Sequence, residues 1–343
     1  MGIFDFFVRK ATKPDVSEIT NNAVSQTSLC TAPQEQDLHT TDNLSDADII
    51  LLEYCTYGSY PNPKNGYPKM WEREFHITDV DYALQSLVKR GYIRLATALE
   101  TLPKLTIPQL KVVAEKCDIV VKGKKADILN ALYGIPADVL ERSVGERKYR
   151  LTEKGDQTLK SNEHIVYVFK NTFTGISIER MKELVRNEPE RPYRDLIWTE
   201  FNRKCHYMTL YGLTSVGEYR NLRLAMFFFL KQEGKYQTAL LHLHEVFFYD
   251  LNDPIAPCIA PRVVDEAKDI TKKIGYTQDD FFESAQRMMV GVYAPHKNFD
   301  DMDVAGIFTS LVYESYEIVY KILGSRPNAE NLVVQVHRIA SDL

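Results

Sequence analysis

Leu105-Thr-Ile-Pro-Gln-Leu110-Lys-Val-Val-Ala-Glu-Lys-Cys-Asp-Ile119-Val-Val-Lys-Gly123-Lys-Lys-Ala-Asp-Ile128-Leu129-Asn-Ala-Leu132 reads as a helix, an extended link and a second helix. Thr106 stands where an N-cap belongs, and Gln109, three residues on, completes a capping box. Pro108 falls in the first turn, where its missing N–H leaves no helical bond unmade. Ile107, Leu110, Val113 and Ala114 form one apolar stripe, and Ile128, Leu129 and Leu132 form the stripe facing it. Ile119 and Val121, in the link, cover the seam. Gly123 lets a ligand approach the backbone at the start of the second helix. Amides at that N-terminus favour phosphate, and Lys122, Lys124 and Lys125 add charge in the same place. From Thr101 to Leu132, six lysines (104, 111, 116, 122, 124 and 125) meet three acids (Glu115, Asp118 and Asp127). The segment is thus locally positive in a chain whose net charge is -5.

This stretch resembles a SAP domain, whose pattern is "LTVxELKxxLxxxGLxxxGxKxxLixRL". Leu105, Thr106, Ile107, Leu110, Lys111, Ile119, Gly123, Lys125, Ile128 and Leu132 match it without a gap. The resemblance implies a two-helix module that grips double-stranded DNA, with Thr106, Lys111, Lys122, Gly123, Lys124 and Lys125 at the contact. Asp118 stands where the family has glycine and adds a negative charge near the site. The alternative is a module of the same shape that packs against its neighbours or binds protein, which makes the chain an adaptor.

Outward from the module, Thr78 is the expected N-cap of a helix in which Val80, Ala83, Leu84, Leu87 and Val88 keep i, i+3, i+4 spacing. Gly91 ends that helix, and Tyr92 to Leu95 then reads as a strand. Lys148 to Lys160 (KYRLTEKGDQTLK) reads as a short strand turning into a helix. Ala83 to Ile93 and Tyr149 to Gly155 resemble the core of a MarR-like winged helix, "aLxxLvxxGyI" followed by "yxLTxkG". About 55 residues separate the two strands, where a wing needs about ten. The module therefore sits as an insertion, and the two strands are expected to pair antiparallel. Gln85 and Lys89 then face outward within reach of base edges, and Arg94 and Arg150 flank the wing. Asp79 and Asp81 on the same face oppose phosphate, so a purely structural scaffold is the other reading.

The fold class that follows is mostly α: a winged-helix-like α+β domain (45–100 plus 146–170) carrying the SAP-like module (101–145), then an all-α, TPR-like domain (171–343). Residues 1–44 read as a Phe-rich tip on a flexible linker, because Ser, Thr, Asn, Gln and Pro cannot bury enough surface to offset ordering. Helices are expected at Ile176–Val185, Tyr193–Phe201, Glu218–Gly234, Tyr236–Tyr249, Pro261–Gly275, Thr277–Met289 and Asp303–Leu323. Gly234 to Ala239 is similar to the second helix of a tetratricopeptide repeat, but no 34-residue period follows. With 20 Lys and Arg against 24 Asp and Glu, this half suits protein or self-association rather than DNA.

No phosphate-cradling loop, GxGxxG, HExxH or GxSxG occurs, and no cofactor or metal is expected. His242 and His244 lie two apart on a helix and point to different faces, so they do not share an ion. The five cysteines are scattered, which argues against a disulfide framework, and no apolar run is long enough to span a bilayer. The expectation is a cytoplasmic, bacterial- or phage-type accessory protein without catalysis. An unrecognised enzyme would show itself instead as a polar pocket with strongly perturbed carboxylates or histidines.

Overall fold

The computed structural model describes residues 44–210, 213, 215–292, 297–326 and 329–341. The tip and linker expected at the N-terminus lie outside the described residues, as does the break expected at Gly212. Residues 44–343 belong to one compact unit. It is mostly helical, with one small two-stranded sheet.

The first layer holds α1 (Asp46–Thr56), α2 (Met70–Arg73), α3 (Val80–Lys89), β1 (Ile93–Leu95), β2 (Tyr149–Leu151), α8 (Glu153–Ser161) and α9 (Glu163–Lys170). Ser45 caps α1, its hydroxyl accepting from Asp48 N while Asp48 accepts from Ser45 N. Ile49, Ile50, Leu51 and Leu52 are all buried, so α1 is the core helix of this layer. The N-cap of α3 is Asp79 rather than Thr78: its carboxylate accepts from Tyr82 N at 2.9 Å, one residue nearer the apolar stripe. Gly91 (φ 76°) ends α3, with Tyr92 N bonding Leu87 O and Gly91 N bonding Val88 O. Those two bonds satisfy carbonyls that the last turn leaves open.

The expected strand pairing is present. β1 and β2 run antiparallel with Ile93 opposite Leu151, Arg94 opposite Arg150 and Leu95 opposite Tyr149. Thr152 explains why the chain turns sharply after β2. Its hydroxyl accepts from Gly155 N at 3.1 Å and donates to Gly91 O at 2.7 Å, joining the start of α8 to the end of α3. Gly155 is required by space alone, since a Cβ there would lie 2.1 Å from Tyr92 O. Gly155→Ala is expected to push α8 off β1 and cost about 1–3 kcal/mol or more, the usual scale of overpacking. A melting temperature lower by about 3–10 °C, with Gly145→Ala unchanged, is the expected reading; Gly145 has open space where its Cβ would go. Equal melting of the two variants would remove the steric account.

Between the strands the chain forms α4 (Ala98–Thr101), a 3-10 turn at Leu102–Lys104, α5 (Ile107–Lys116), α6 (Lys125–Tyr133) and α7 (Ala137–Ser143). They share a core of their own, built on Leu102, Leu110, Val113, Ala114, Ile128, Leu132, Leu140 and Val144. Ile119 and Val121 pack on that core from the link, as their spacing implies. Ile107 does not, being 39% exposed at the first turn of α5. Asp118 takes the left-handed cap (φ 56°), with Asp118 N on Glu115 O and Ile119 N on Ala114 O. The insertion is closed at its base, where Ala96 N bonds Lys148 O at 2.9 Å and Ala98 N bonds Glu141 Oε1 at 2.8 Å.

The rest is helical: α10 (Ile178–Asn187), α11 (Tyr193–Leu210), α12 (Val216–Gln232), α13 (Tyr236–Leu251), α14 (Pro261–Ile274), α15 (Gln278–Met289), α16 (Asp301–Val312), α17 (Tyr316–Gly324) and α18 (Glu330–Ser341). Helix α11 runs a further nine residues past the expected Phe201. The single helix expected over Asp303–Leu323 is two, divided where Glu314 turns left-handed (φ 60°). Helix α13 is buried along almost all of Ala239–Leu251 and forms the axis around which α12, α14, α15 and α16 pack. Among the described residues, no helix is long and apolar enough to cross a membrane.

Candidate nucleic-acid interface

The residues that the sequence assigned to phosphate converge only in part. At the start of α6, Lys122, Gly123 and Lys124 are exposed and Lys125 is half-buried. Gly123 has φ 103°, as a glycine there requires. The space beside it is not open to a ligand, however. A Cβ on Gly123 would meet Asp127 Oδ2 at 2.6 Å, and the same oxygen accepts from Lys124 N at 2.8 Å. The protein's own carboxylate thus stands at the helix N-terminus where a phosphate was expected. Lys125 Nζ donates to Pro103 O at 2.8 Å, which draws the start of α6 against the turn that carries Lys104.

Thr106 is exposed but engaged within its own helix: its N–H and hydroxyl both donate to Gln109 Oε1, at 2.8 and 2.9 Å. Lys111 is exposed on α5. Among the described residues, no carboxylate oxygen lies within 4.0 Å of the ammonium of Lys104, Lys111, Lys116, Lys122, Lys124 or Lys125. Six cations without a carboxylate partner thus lie within one small module.

Arg94 and Arg150 do come together, directly across the two-stranded ladder. Like charges so placed repel, and Glu100 relieves them by taking both nitrogens of Arg94 at 2.7 Å. The Arg94 guanidinium and the backbone amide of Thr97 hold the Glu100 carboxyl down at about 2. Arg94 is therefore committed to Glu100 and is not a free phosphate ligand, whereas Arg150 has no ion pair among the described residues. Gln85 and Lys89 are exposed on α3. They belong to the layer packed on Leu84 and Leu87, whose core is separate from that of the module.

What the sequence reading missed is a cleft of about 1210 Å³ between the module and the Gly58–Pro68 loop. One face of α5 lines it with Thr106, Gln109, Val112 and Lys116, and Lys104, Lys148 and Arg150 complete that side. The opposite wall is the loop itself, with Ser59, Asn62, Lys64 and Asn65, beside Tyr57. The loop is held firmly. Tyr149 N bonds Tyr60 O at 2.6 Å, Lys148 Nζ bonds Pro61 O and Asn62 O, and Trp71 Nε1 bonds Tyr60 Oη at 2.8 Å. Three prolines and two glycines make this stretch a loop, but nothing in them says that it faces α5.

A second cavity, about 380 Å³, lies in the C-terminal helices and is lined by Thr209, Tyr219, Arg223, Glu245, Tyr249 and Arg287 among others. Burial raises the Glu245 carboxyl, and burial pushes the Tyr219 hydroxyl up to about 12. Arg223 meets Glu245 at 2.7 Å from the neighbouring helix. His242 and His244 are both buried and engaged differently. His242 Nδ1 faces Arg223 at 3.4 Å, and His244 Nε2 faces Ser284 Oγ at 3.2 Å with its ring edge-on to Phe281 and Phe308. Arg223 and Glu245 pair between α12 and α13, and His244 reaches Ser284 on α15, so these groups are partnered within the helical core. No family model, curated protein or solved structure matches this chain.

Proposed function

We propose that this chain is a non-enzymatic DNA-binding protein whose inserted SAP-like module contacts the phosphate backbone of a duplex, inside a winged-helix-like layer. The observation that carries this reading is the cluster of Lys122, Lys124 and Lys125, without a carboxylate partner, at one end of a module with its own core. Unpaired ammonium groups keep their full attraction for phosphate, and the counterions they displace drive the association. Because Asp127 occupies the start of α6, the contact belongs to the side chains of Lys122, Lys124 and Lys125 rather than to the helix amides. The acidic, TPR-like helical half serves partner binding or self-association. Asp127 also favours a second reading, an adaptor whose module meets protein instead of nucleic acid.

Replacing Lys122, Lys124 and Lys125 together by Ala separates the two. Lys122 and Lys124 are exposed and none of the three contributes to the core, so the stability is expected to fall only by what the Lys125–Pro103 bond contributes, about 0.5–1.5 kcal/mol. Every phosphate that is no longer neutralised lowers the salt dependence of duplex binding by about 0.9 on a log–log plot. Releasing two or three phosphates flattens the slope by about two units and weakens binding to all sequences alike. A folded triple variant with the parent's affinity and slope transfers the assignment to the adaptor reading.

A further inference from the structure

The cleft between α5 and the Gly58–Pro68 loop has the chemistry of a binding site that the duplex contact does not use. Five cations line it, Lys64, Lys104, Lys116, Lys148 and Arg150, against two acids, Glu100 and Glu146. Both acids are already spent: Glu100 holds Arg94, and Glu146 holds Lys148 at 2.5 Å. Lys64, Lys104, Lys116 and Arg150 remain without an ion pair among the described residues, so the cleft is electropositive in an acidic chain. Ring surface accompanies the charge, for Tyr57 is 57% exposed at the rim.

Shape restricts what enters. A concavity of about 1210 Å³ with a pinned loop for one wall suits a flexible chain that can follow its walls better than a rigid duplex. A single strand is flexible, exposes both its phosphates and its base faces, and binds where cations track its backbone and aromatic rings meet its bases. Continuity points the same way. Lys104 lies on the rim of the cleft, and the Lys125–Pro103 bond places the start of α6 against the turn that bears it. The basic surface thus runs from Lys122, Lys124 and Lys125 past Lys104 into the cleft. We propose that this cleft holds a single strand of nucleic acid leading away from a duplex bound at α6. Where duplex meets strand, the inference rests on the function proposed above; the cleft's own occupancy is tested independently of it.

The test uses the full chain and three probes: oligo(dT) of about twelve nucleotides, within the site sizes of known strand-binding folds, an abasic strand of equal length, and a blunt duplex. The double variant Lys104→Ala with Lys116→Ala alters two exposed side chains outside every hydrophobic cluster. It is expected to lose at least tenfold in oligo(dT) affinity and to flatten the single-strand salt slope by about 1.4, at about 0.7 per phosphate, while duplex binding changes less than twofold. The Lys122, Lys124 and Lys125 variant is expected to show the reverse. Oligo(dT) binding unaffected by the double variant overturns the inference, as does equal affinity for the abasic strand, which would make the cleft a site for any polyanion. Duplex binding unaffected by the α6 variant, with oligo(dT) binding still dependent on Lys104 and Lys116, removes the duplex function and leaves the strand in the cleft.

Discussion

Arg223→Met is expected to cost the folded protein about 3–5 kcal/mol, the scale of leaving one member of a buried pair without its partner. Arg223 on α12 and Glu245 on α13 meet at 2.7 Å, with side chains only 18% and 4% exposed. The contact joins Arg223 Nε to Glu245 Oε2. Burial raises the Glu245 carboxyl, and Arg223 is the nearby cation that works against that rise. Without Arg223 the carboxylate must take up a proton or remain an uncompensated charge beside Tyr219 and Tyr249. The double variant Arg223→Met with Glu245→Leu removes both charges and is expected to recover most of the loss, because a packed apolar pair of similar volume is often as stable as the ion pair it replaces. Urea unfolding reads the difference through the midpoint at constant m. A single variant that costs under about 1 kcal/mol, or a double variant no better than the single, defeats the account.

Acid is expected to weaken the protein well above the carboxylate range. Burial, and secondarily the Arg223 charge, lowers His242 to about 3, and burial alone lowers His244 to about 3. An unfolded histidine titrates near 6.5. As pH falls below that value the unfolded chain binds protons that the folded chain refuses. The stability is therefore present in full above about pH 6.5 and is lost progressively as pH falls toward about 3. Two such groups give a limiting slope of about 2.7 kcal/mol per pH unit, or about 3 kcal/mol between pH 6.5 and 5. Glu245 and Asp250 act in the opposite sense, since burial raises both carboxyls and the folded state protonates them first. His244→Phe isolates the effect by keeping the ring between Phe281 and Phe308 while removing the titration. Between pH 6.5 and 5 its stability is expected to fall by about 1.5 kcal/mol less than the parent's, the difference in slope approaching one proton, or about 1.4 kcal/mol per pH unit, at the acid end. Glu100 and Glu200, both held down at about 2, do not titrate in that window. Parent and variant with the same slope would show that His244 is not a buried neutral base.

Much of this fold is written in segments a few residues long. Gly91 and Asp118 end their helices left-handed because the amides beside them close the last turn, and those bonds reach back three to five residues. Ser45 caps α1 from Asp48, also within one turn. The alternating and helical apolar spacings gave β1, β2, α5, α6 and the helical character of the C-terminal half, since each depends on a local period. Where local signals compete the reading slipped by a residue, as at Thr78 and Asp79. A helix broken by a non-glycine left-handed residue, as at Glu314, carries no composition mark at all.

The electrostatics of the candidate site belong to another scale. Lysine content alone marked the module as positive, and that much is a property of the sequence. Arg94 is neutralised by Glu100, six residues on, only because α4 folds back beside β1. The cleft joins Lys64 to Lys104 and Lys116 across forty residues or more of chain, through a loop tied down by Tyr149 and Lys148. The sequence by itself determined the helices, their caps and the excess of positive charge in one segment, because those depend on neighbours within a turn or two. Only the tertiary structure decided which of those charges are free and what they surround, because an ion pair needs atoms within about 4 Å, and packing alone brings distant residues that close.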